Sequence, residues 1–248
     1  MTLGSAFRPL VDLVLPPRCP GCGVLVDDDL QFCGDCWNAL RFISDPSCRS
    51  CGKPFSEGRD NDLVCAECLA DPPLHDGIRA AVLYDDLSRS IVLKLKHGGK
   101  IGLARLVAQH LQRYLPEEAD NVVLIPVPLH RWRLWRRGFN QSILIARELA
   151  RPRGLRVETN LLRRVRATPP LKGMTRKQRG QAVRGVFAIP ADRRDRIEGR
   201  HVLLIDDVYT TGATARACVR LLKQAGAAEV TIFCWARVLR DGDEGLAM

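Results

Sequence analysis

The sequence predicts an α/β protein, a mostly parallel sheet with helices on both faces, preceded by a small cysteine-rich module. Three observations predict it. Eight of the ten cysteines fall between Cys19 and Cys68. Beyond residue 77, short apolar strands alternate with amphipathic helices, which is the pattern of a doubly wound sheet. The charge divides at the same place: residues 1–76 carry 6 basic and 12 acidic side chains, and the other 172 residues carry 32 and 16. The Pro-rich join DPPLHDG (71–77) reads as a boundary. Three regions result: a helical segment over 1–18, the cysteine module over 19–76 and the α/β domain over 77–248.

Composition removes several classes. With 46% hydrophobic and 27% charged residues in 248, the chain is globular rather than disordered or collagen-like. No run of about 18 apolar residues occurs, so no spanning helix is expected. The first residues carry Asp12 inside their apolar part and make a poor signal peptide, so a cytoplasmic protein is expected.

The module holds four C-x-x-C pairs: Cys19/Cys22, Cys33/Cys36, Cys48/Cys51 and Cys65/Cys68. Each lies in a turn-forming context, with Gly23 and Gly52 placed to relieve a tight knuckle. Two such pairs complete a tetrahedral thiolate shell, which selects zinc. A disulfide module would need a secretory context that the sequence lacks. Two structural zinc sites are therefore expected, and spacing leaves sequential and cross-braced pairing both open. So small an apolar content makes folding depend on the metal.

In the second region, IRAAVLY (78–84) suits a strand. Residues 88–96 and 101–115 are amphipathic, with Ile101, Ala104, Val107, Leu111 and Tyr114 on one face. VVLIPVP (122–128) is a buried parallel strand by its unbroken apolar run. A helix over 140–150 follows, with Gly154 as its stop. VFAI (186–189) and HVLLIDDV (201–208) are strands, residues 212–225 a helix ending at Gly226, and VTIFCWARV (230–238) the last strand. Cys218 and Cys234 read as core residues.

One stretch carries the most chemistry: VLLIDDVYTTGAT (202–214). A buried strand ends in two carboxylates, Asp206 and Asp207, and a Thr/Gly-rich turn then opens a helix. Thr210, Thr211, Gly212, Ala213 and Thr214 would form an anion cradle reinforced by the helix dipole. Adjacent acids beside a phosphate site suit ribose hydroxyls or a bound cation.

This pattern resembles the phosphoribosyl diphosphate (PRPP) signature of type I phosphoribosyltransferases. The resemblance implies that Asp206 and Asp207 hold the ribose hydroxyls, that residues Thr210 to Thr214 bind the 5′-phosphate, and that Mg²⁺ accompanies PRPP. Purine-salvage members carry an Asp where Thr210 stands, so the chain looks more like orotate-type members. The family's diphosphate loop follows an early strand, as LHRWRLWRRGFNQS (129–142) follows Ile125-Pro126-Val127-Pro128 here. Arg131, Arg136 and Arg137, with Gly138, Asn140 and Gln141, would supply donors.

The segment RRVRATPPLKGMTRKQRGQAVRGVF (163–187) has eight basic residues and no acid, and it reads as a basic lid. Lys94, Lys96, His97 and Gly98-Gly99 make a smaller basic loop. These charges suit a diphosphate or a nucleic-acid backbone. Trp132 and Trp135 either pack on one face or stack on a base.

Together, the cysteine knuckles, YDDLSRSIVLKLKHGGK, PVPLHRWRLWRRGFNQ, the basic lid and the PRPP signature resemble the ComF family of competence-associated proteins. That resemblance covers nearly the whole chain and implies a role in DNA uptake and natural transformation. Two functions fit. In the first, a phosphoribosyltransferase uses Arg131, Arg137, Lys172 and Arg176 to stabilise the departing diphosphate, with an acceptor the sequence does not identify. In the second, a non-catalytic PRPP- or nucleotide-sensing module binds single-stranded DNA or a DNA-processing partner.

Overall fold

A computed structural model describes residues 15–56, 63–167, 175, 178 and 181–239. The expected helical segment over 1–18 lies mostly outside them, and Arg18 pairs with Leu25 in an antiparallel bridge. The cysteine module contributes two short helices, α1 (Gly34–Ala39) and α2 (Ala66–Ala70).

The remaining elements run β1 (Gly77–Leu83), α3 (Asp86–His97), α4 (Leu103–Leu111), β2 (Val122–Pro126), α5 (Arg131–Arg137), α6 (Gln141–Ala150), β3 (Arg156–Val157), β4 (Arg163–Arg164), β5 (Phe187–Ala188), β6 (His201–Ile205), β7 (Val208–Tyr209), α7 (Ala213–Gln224) and β8 (Glu229–Arg237). The main sheet has the order β1-β8-β6-β2-β3, with every pairing parallel, and β7 continues on β8.

Strand residues alternate between two cores. Leu124, Leu203, Ile205, Phe233 and Trp235 face α3, α4 and α6, packing with Ile91, Leu106, Ile145 and Leu149. Val123, Ile125, Leu204 and Ile232 face the other way, toward Cys218, Val219 and Leu222 of α7. The central strands are thus apolar on both sides, which explains their unbroken apolar sequences. Cys218 and Cys234 are fully buried core residues.

Local rules set the helix ends. Asp85 accepts from Ser88 N while the Ser88 hydroxyl side accepts from Asp85 N, a capping box that starts α3. The structure departs from expectation in three places. Phe187–Ala188 stays out of the main sheet and pairs antiparallel with Arg163–Arg164. The strand expected over 201–208 is interrupted at Asp206 and Asp207. Ile101 precedes α4 and is 54% exposed rather than on its buried face.

The cysteine module lies along the free edge of β1. Ile43 N donates to Ala81 O at 3.0 Å, Leu83 N to Arg41 O at 2.8 Å and Ile78 N to Ser50 O at 2.9 Å. An edge strand offers unpaired backbone groups, and these bonds satisfy them. The contact continues through tilted rings: Trp37–Phe42 at 4.5 Å, Phe42–His110 at 5.4 Å and His110–Trp235 at 5.7 Å.

Candidate functional site

The cysteines gather sequentially, as Cys19, Cys22, Cys33 and Cys36, and as Cys48, Cys51, Cys65 and Cys68, with all sulfurs of a group within 4.8 Å of one another. Sγ separations of 3.5 Å (Cys22–Cys33) and 3.8 Å (Cys51–Cys65) suit a tetrahedral ion with bonds of about 2.3 Å. Backbone amides support the sulfurs: Cys33 N donates to Cys19 Sγ at 3.3 Å, and Cys51 N and Cys65 N donate to Cys48 Sγ at 3.4 and 3.3 Å. Gly52 needs its φ of +68° and its missing Cβ, which would lie 2.8 Å from Ile78 O. The donor sets therefore fit zinc.

At the carboxyl end of the sheet, Asp206 and Asp207 stand between β6 and β7. Asp206 Oδ1 accepts from Asp207 N at 2.9 Å and from Ser142 Oγ at 3.4 Å. Asp207 Oδ1 accepts from Gln141 Nε2 at 3.3 Å, while Gln141 Oε1 accepts from Arg137 Nη1 at 2.6 Å. Lys96 forms an ion pair with Asp207 Oδ2. Burial, and then the neighbouring Asp207 charge, push the Asp206 carboxyl up to about 8.

The following loop is built around Gly212, which caps α7 at φ +70°, and a Cβ there would overlap the Tyr209 hydroxyl. Ala213 is buried, Thr211 and Thr214 are half-buried and Thr210 is exposed. With Asp206 and Tyr209, Thr210 to Ala215 line a pocket of about 80 Å³. The first amides of α7 are unpaired within the helix, and amides so placed suit an anion.

The stretch after Pro128 is a helix rather than a loop. His130 accepts from Trp132 N at its start, Gly138 ends it at φ +80°, and RWRLWRR contains no helix breaker. Arg131 stands exposed on its first turn, whereas Arg137 on its last turn reaches Gln141. Asn140 caps α6 by accepting from Ser142 N, and its amide donates to Val127 O at 3.0 Å. One buried asparagine thus locks the end of β2 to α6. Lys172 and Arg176 lie outside the described residues. The basic loop of α3 divides: Lys94 Nζ donates to Pro20 O and Gly21 O at 2.6 Å, and Lys96 goes to the acid pair.

Two clefts flank these groups. One, of about 610 Å³, is lined by Lys96, His97, Arg133, Arg136 and Arg137 with Trp132 and Phe139. The other, of about 420 Å³, runs between the second cysteine group and the Gly212 loop, past Cys51, Cys68, His75, Tyr209, Thr210 and Arg237. Sequence reasoning missed Lys96, Gln141 and Ser142 as partners of the carboxylates.

A parallel sheet with an acid pair and a helix-opening anion loop at its carboxyl end, behind two four-cysteine knuckle sets, defines a phosphoribosyltransferase-type domain following a double zinc ribbon. Family models agree: residues 10–69 match the double zinc ribbon domain and residues 140–244 the phosphoribosyl transferase domain. DNA utilization protein YhgH of Salmonella typhimurium is 31% identical over 234 residues, covering 92% of this chain and 100% of that one. Competence protein F of Haemophilus influenzae is 29% identical over 217 residues, covering 83% and 90%. Competence protein ComFC of Bacillus subtilis is 28% identical over 224 residues, covering 86% and 87%. The chain belongs to the ComF family. Among the described residues no helix is long and apolar enough to cross a membrane.

Proposed function

We propose that the protein binds PRPP with Mg²⁺ and transfers its phosphoribosyl group during the handling of incoming DNA in the cytoplasm. The observation that carries this is the juxtaposition of Asp206 and Asp207 with the Gly212 loop at one end of one strand. In this reading the loop from Thr210 to Thr214 holds the 5′-phosphate, the carboxylates orient the ribose hydroxyls, and Arg137 faces the diphosphate. Arg131, Lys172 and Arg176 are proposed to join it on closure. Mg²⁺ would sit against the acid pair and neutralise the leaving diphosphate. The division at residue 76 is proposed as the boundary between the zinc module and the transferase domain. The DNA role follows the names of the relatives, competence and DNA utilization.

The test is a thermal-shift titration with PRPP and Mg²⁺, paired with an assay for diphosphate release. Wild-type protein should be stabilised, and Asp206→Asn with Asp207→Asn should abolish the shift while zinc stays near two per chain. No shift in wild type would sink the reading.

A second reading, a PRPP sensor that grips single-stranded DNA, draws on α5, where Trp132 is 59% and Trp135 83% exposed beside Arg133 and Arg136. Exposed aromatics among arginines suit stacking and phosphate contact. PRPP protection without diphosphate release, together with salt-sensitive DNA binding that Trp135→Ala weakens about tenfold, would favour it over catalysis.

A further inference from the structure

We propose that Lys96 is a two-position residue, which plugs the acid pair in the free protein and moves onto the diphosphate of a bound ligand when a divalent cation takes the carboxylates. This deepens the phosphoribosyl reading above and rests on it.

Lys96 and Lys94 lie on the last turn of α3 and part company. Lys94 is bound to two carbonyls of the first cysteine knuckle. Lys96 reaches across to Asp207 Oδ2, where the lysine side chain is 24% exposed and the aspartate only 8%. The other oxygen of Asp207 is occupied by Gln141. Oδ2 is buried and accepts no other hydrogen bond among the described residues. A cation or sugar hydroxyl therefore reaches Oδ2 only if the ammonium leaves. Leaving a carboxylate buried without a counter-charge is costly, so the ammonium is released when another cation replaces it.

Its destination is already present. Lys96 also lines the cleft of about 610 Å³ whose other charged or titratable lining groups are His97, Arg133, Arg136 and Arg137, with no acid among them. Such a cleft attracts a compact polyanion, and a diphosphate matches its charge and fits within it. The flexible four-carbon stem of lysine lets the ammonium turn from one partner to the other without moving α3.

The two partners act in opposite senses. A divalent cation alone must compete with Lys96 for Asp207. A diphosphate ligand draws Lys96 away and so opens the carboxylate to the cation. Binding of the two is thereby coupled, and the coupling is reciprocal.

The test compares wild type with Lys96→Met and Lys96→Arg in the full chain. Mn²⁺ alone is titrated by electron paramagnetic resonance, and inorganic diphosphate with Mg²⁺ by thermal shift. Lys96→Met should bind Mn²⁺ about tenfold more tightly and diphosphate about tenfold more weakly, the usual scale for one charge-assisted contact. Lys96→Arg, keeping the charge, should stay near wild type in both. The Mn²⁺ gain should vanish when Asp207→Asn is added. Unchanged Mn²⁺ affinity in Lys96→Met, or weakening of both ligands together, would overturn the inference. Failure of PRPP to stabilise wild type would instead count against the proposed function, because the Mn²⁺ comparison uses no phosphoribosyl ligand.

Discussion

The two four-cysteine groups share one chemistry and differ in how they join the rest of the molecule. The first is held by side chains. Lys94 grips its knuckle from α3, and Trp37 next to Cys36 packs its ring at a tilt against Phe42. Cys22 there is exposed. The second adds direct backbone bonds to arginine contacts such as Arg79 Nη1 donating to Arg49 O at 3.0 Å. Ser50 O accepts from Ile78 N, Gly52 sits against Ile78 O, and Cys48 is wholly buried. The carbonyl of Cys51 also accepts from Arg237, a residue paired with Tyr209 at the root of the Gly212 loop. Nothing in the C-x-x-C motifs separates the two groups. Attachment does: backbone bonds tie the second group to the edge of β1, beside the cleft that Cys51 and Cys68 line together with Thr210.

The largest expected effect tests that asymmetry. Cys48→Ser should remove one of two zinc ions and loosen the backbone cover of β1, lowering the melting temperature by about 10 °C. That corresponds to roughly 3 kcal/mol or more, a fraction of what structural zinc supplies. It should also abolish the response to PRPP. Cys22→Ser should release one zinc ion too, yet cost less than half as much and keep the response. Zinc analysis and melting curves on both variants decide, and equal losses would erase the distinction.

The next effect probes the loop itself. Gly212→Ala combines a positive φ with a clash against Tyr209. It should cost about 1–3 kcal/mol of stability and remove stabilisation by PRPP, as read by urea melts with and without ligand. A variant with unaltered ligand response would show that the loop does not bind the phosphate.

The smallest effect concerns pH. Asp206 is raised to about 8 from an ordinary 3.8, so the native state binds its proton more tightly than the unfolded chain does. The associated stability is complete below pH 3.8 and is lost as pH rises through 8. Asp206→Asn should thus be more stable than wild type at pH 8, by about 1–2 kcal/mol, with the gap closing toward pH 4. A gap that widens toward acid would reverse the assignment.

Much of the sheet was legible because its central strands are buried on both faces. VVLIPVP and HVLLI announce themselves by unbroken apolar runs, and the acid pair and glycine loop are contiguous in the chain. What escaped was either non-local or lacked an apolar face. The tie between Lys96 and Asp207 joins residues from distant parts of the sequence, and no local pattern marks it. Helix α5 buries no residue, so apolar periodicity is silent there and only its caps at His130 and Gly138 signal it. The pairing of Phe187 with Arg164 outside the sheet depends on tertiary packing. The sequential grouping of the cysteines is likewise set by tertiary arrangement, since spacing suited either pairing.

The order of the strands carries a consequence for synthesis. Among the described residues β8, the last strand, lies between β1, the first, and β6. The Val230 amide donates to Asp76 across a separation of 154 residues. During translation, then, the cysteine module and β1 emerge as a finished edge facing an empty slot that closes only when β8 arrives. Loop closure over such a distance is slow, and an open strand edge invites pairing with a neighbouring chain. The backbone cover on the outer side of β1 removes one edge from that exposure, and until β8 arrives the facing edges of β1 and β6 are the ones left open to a neighbouring chain.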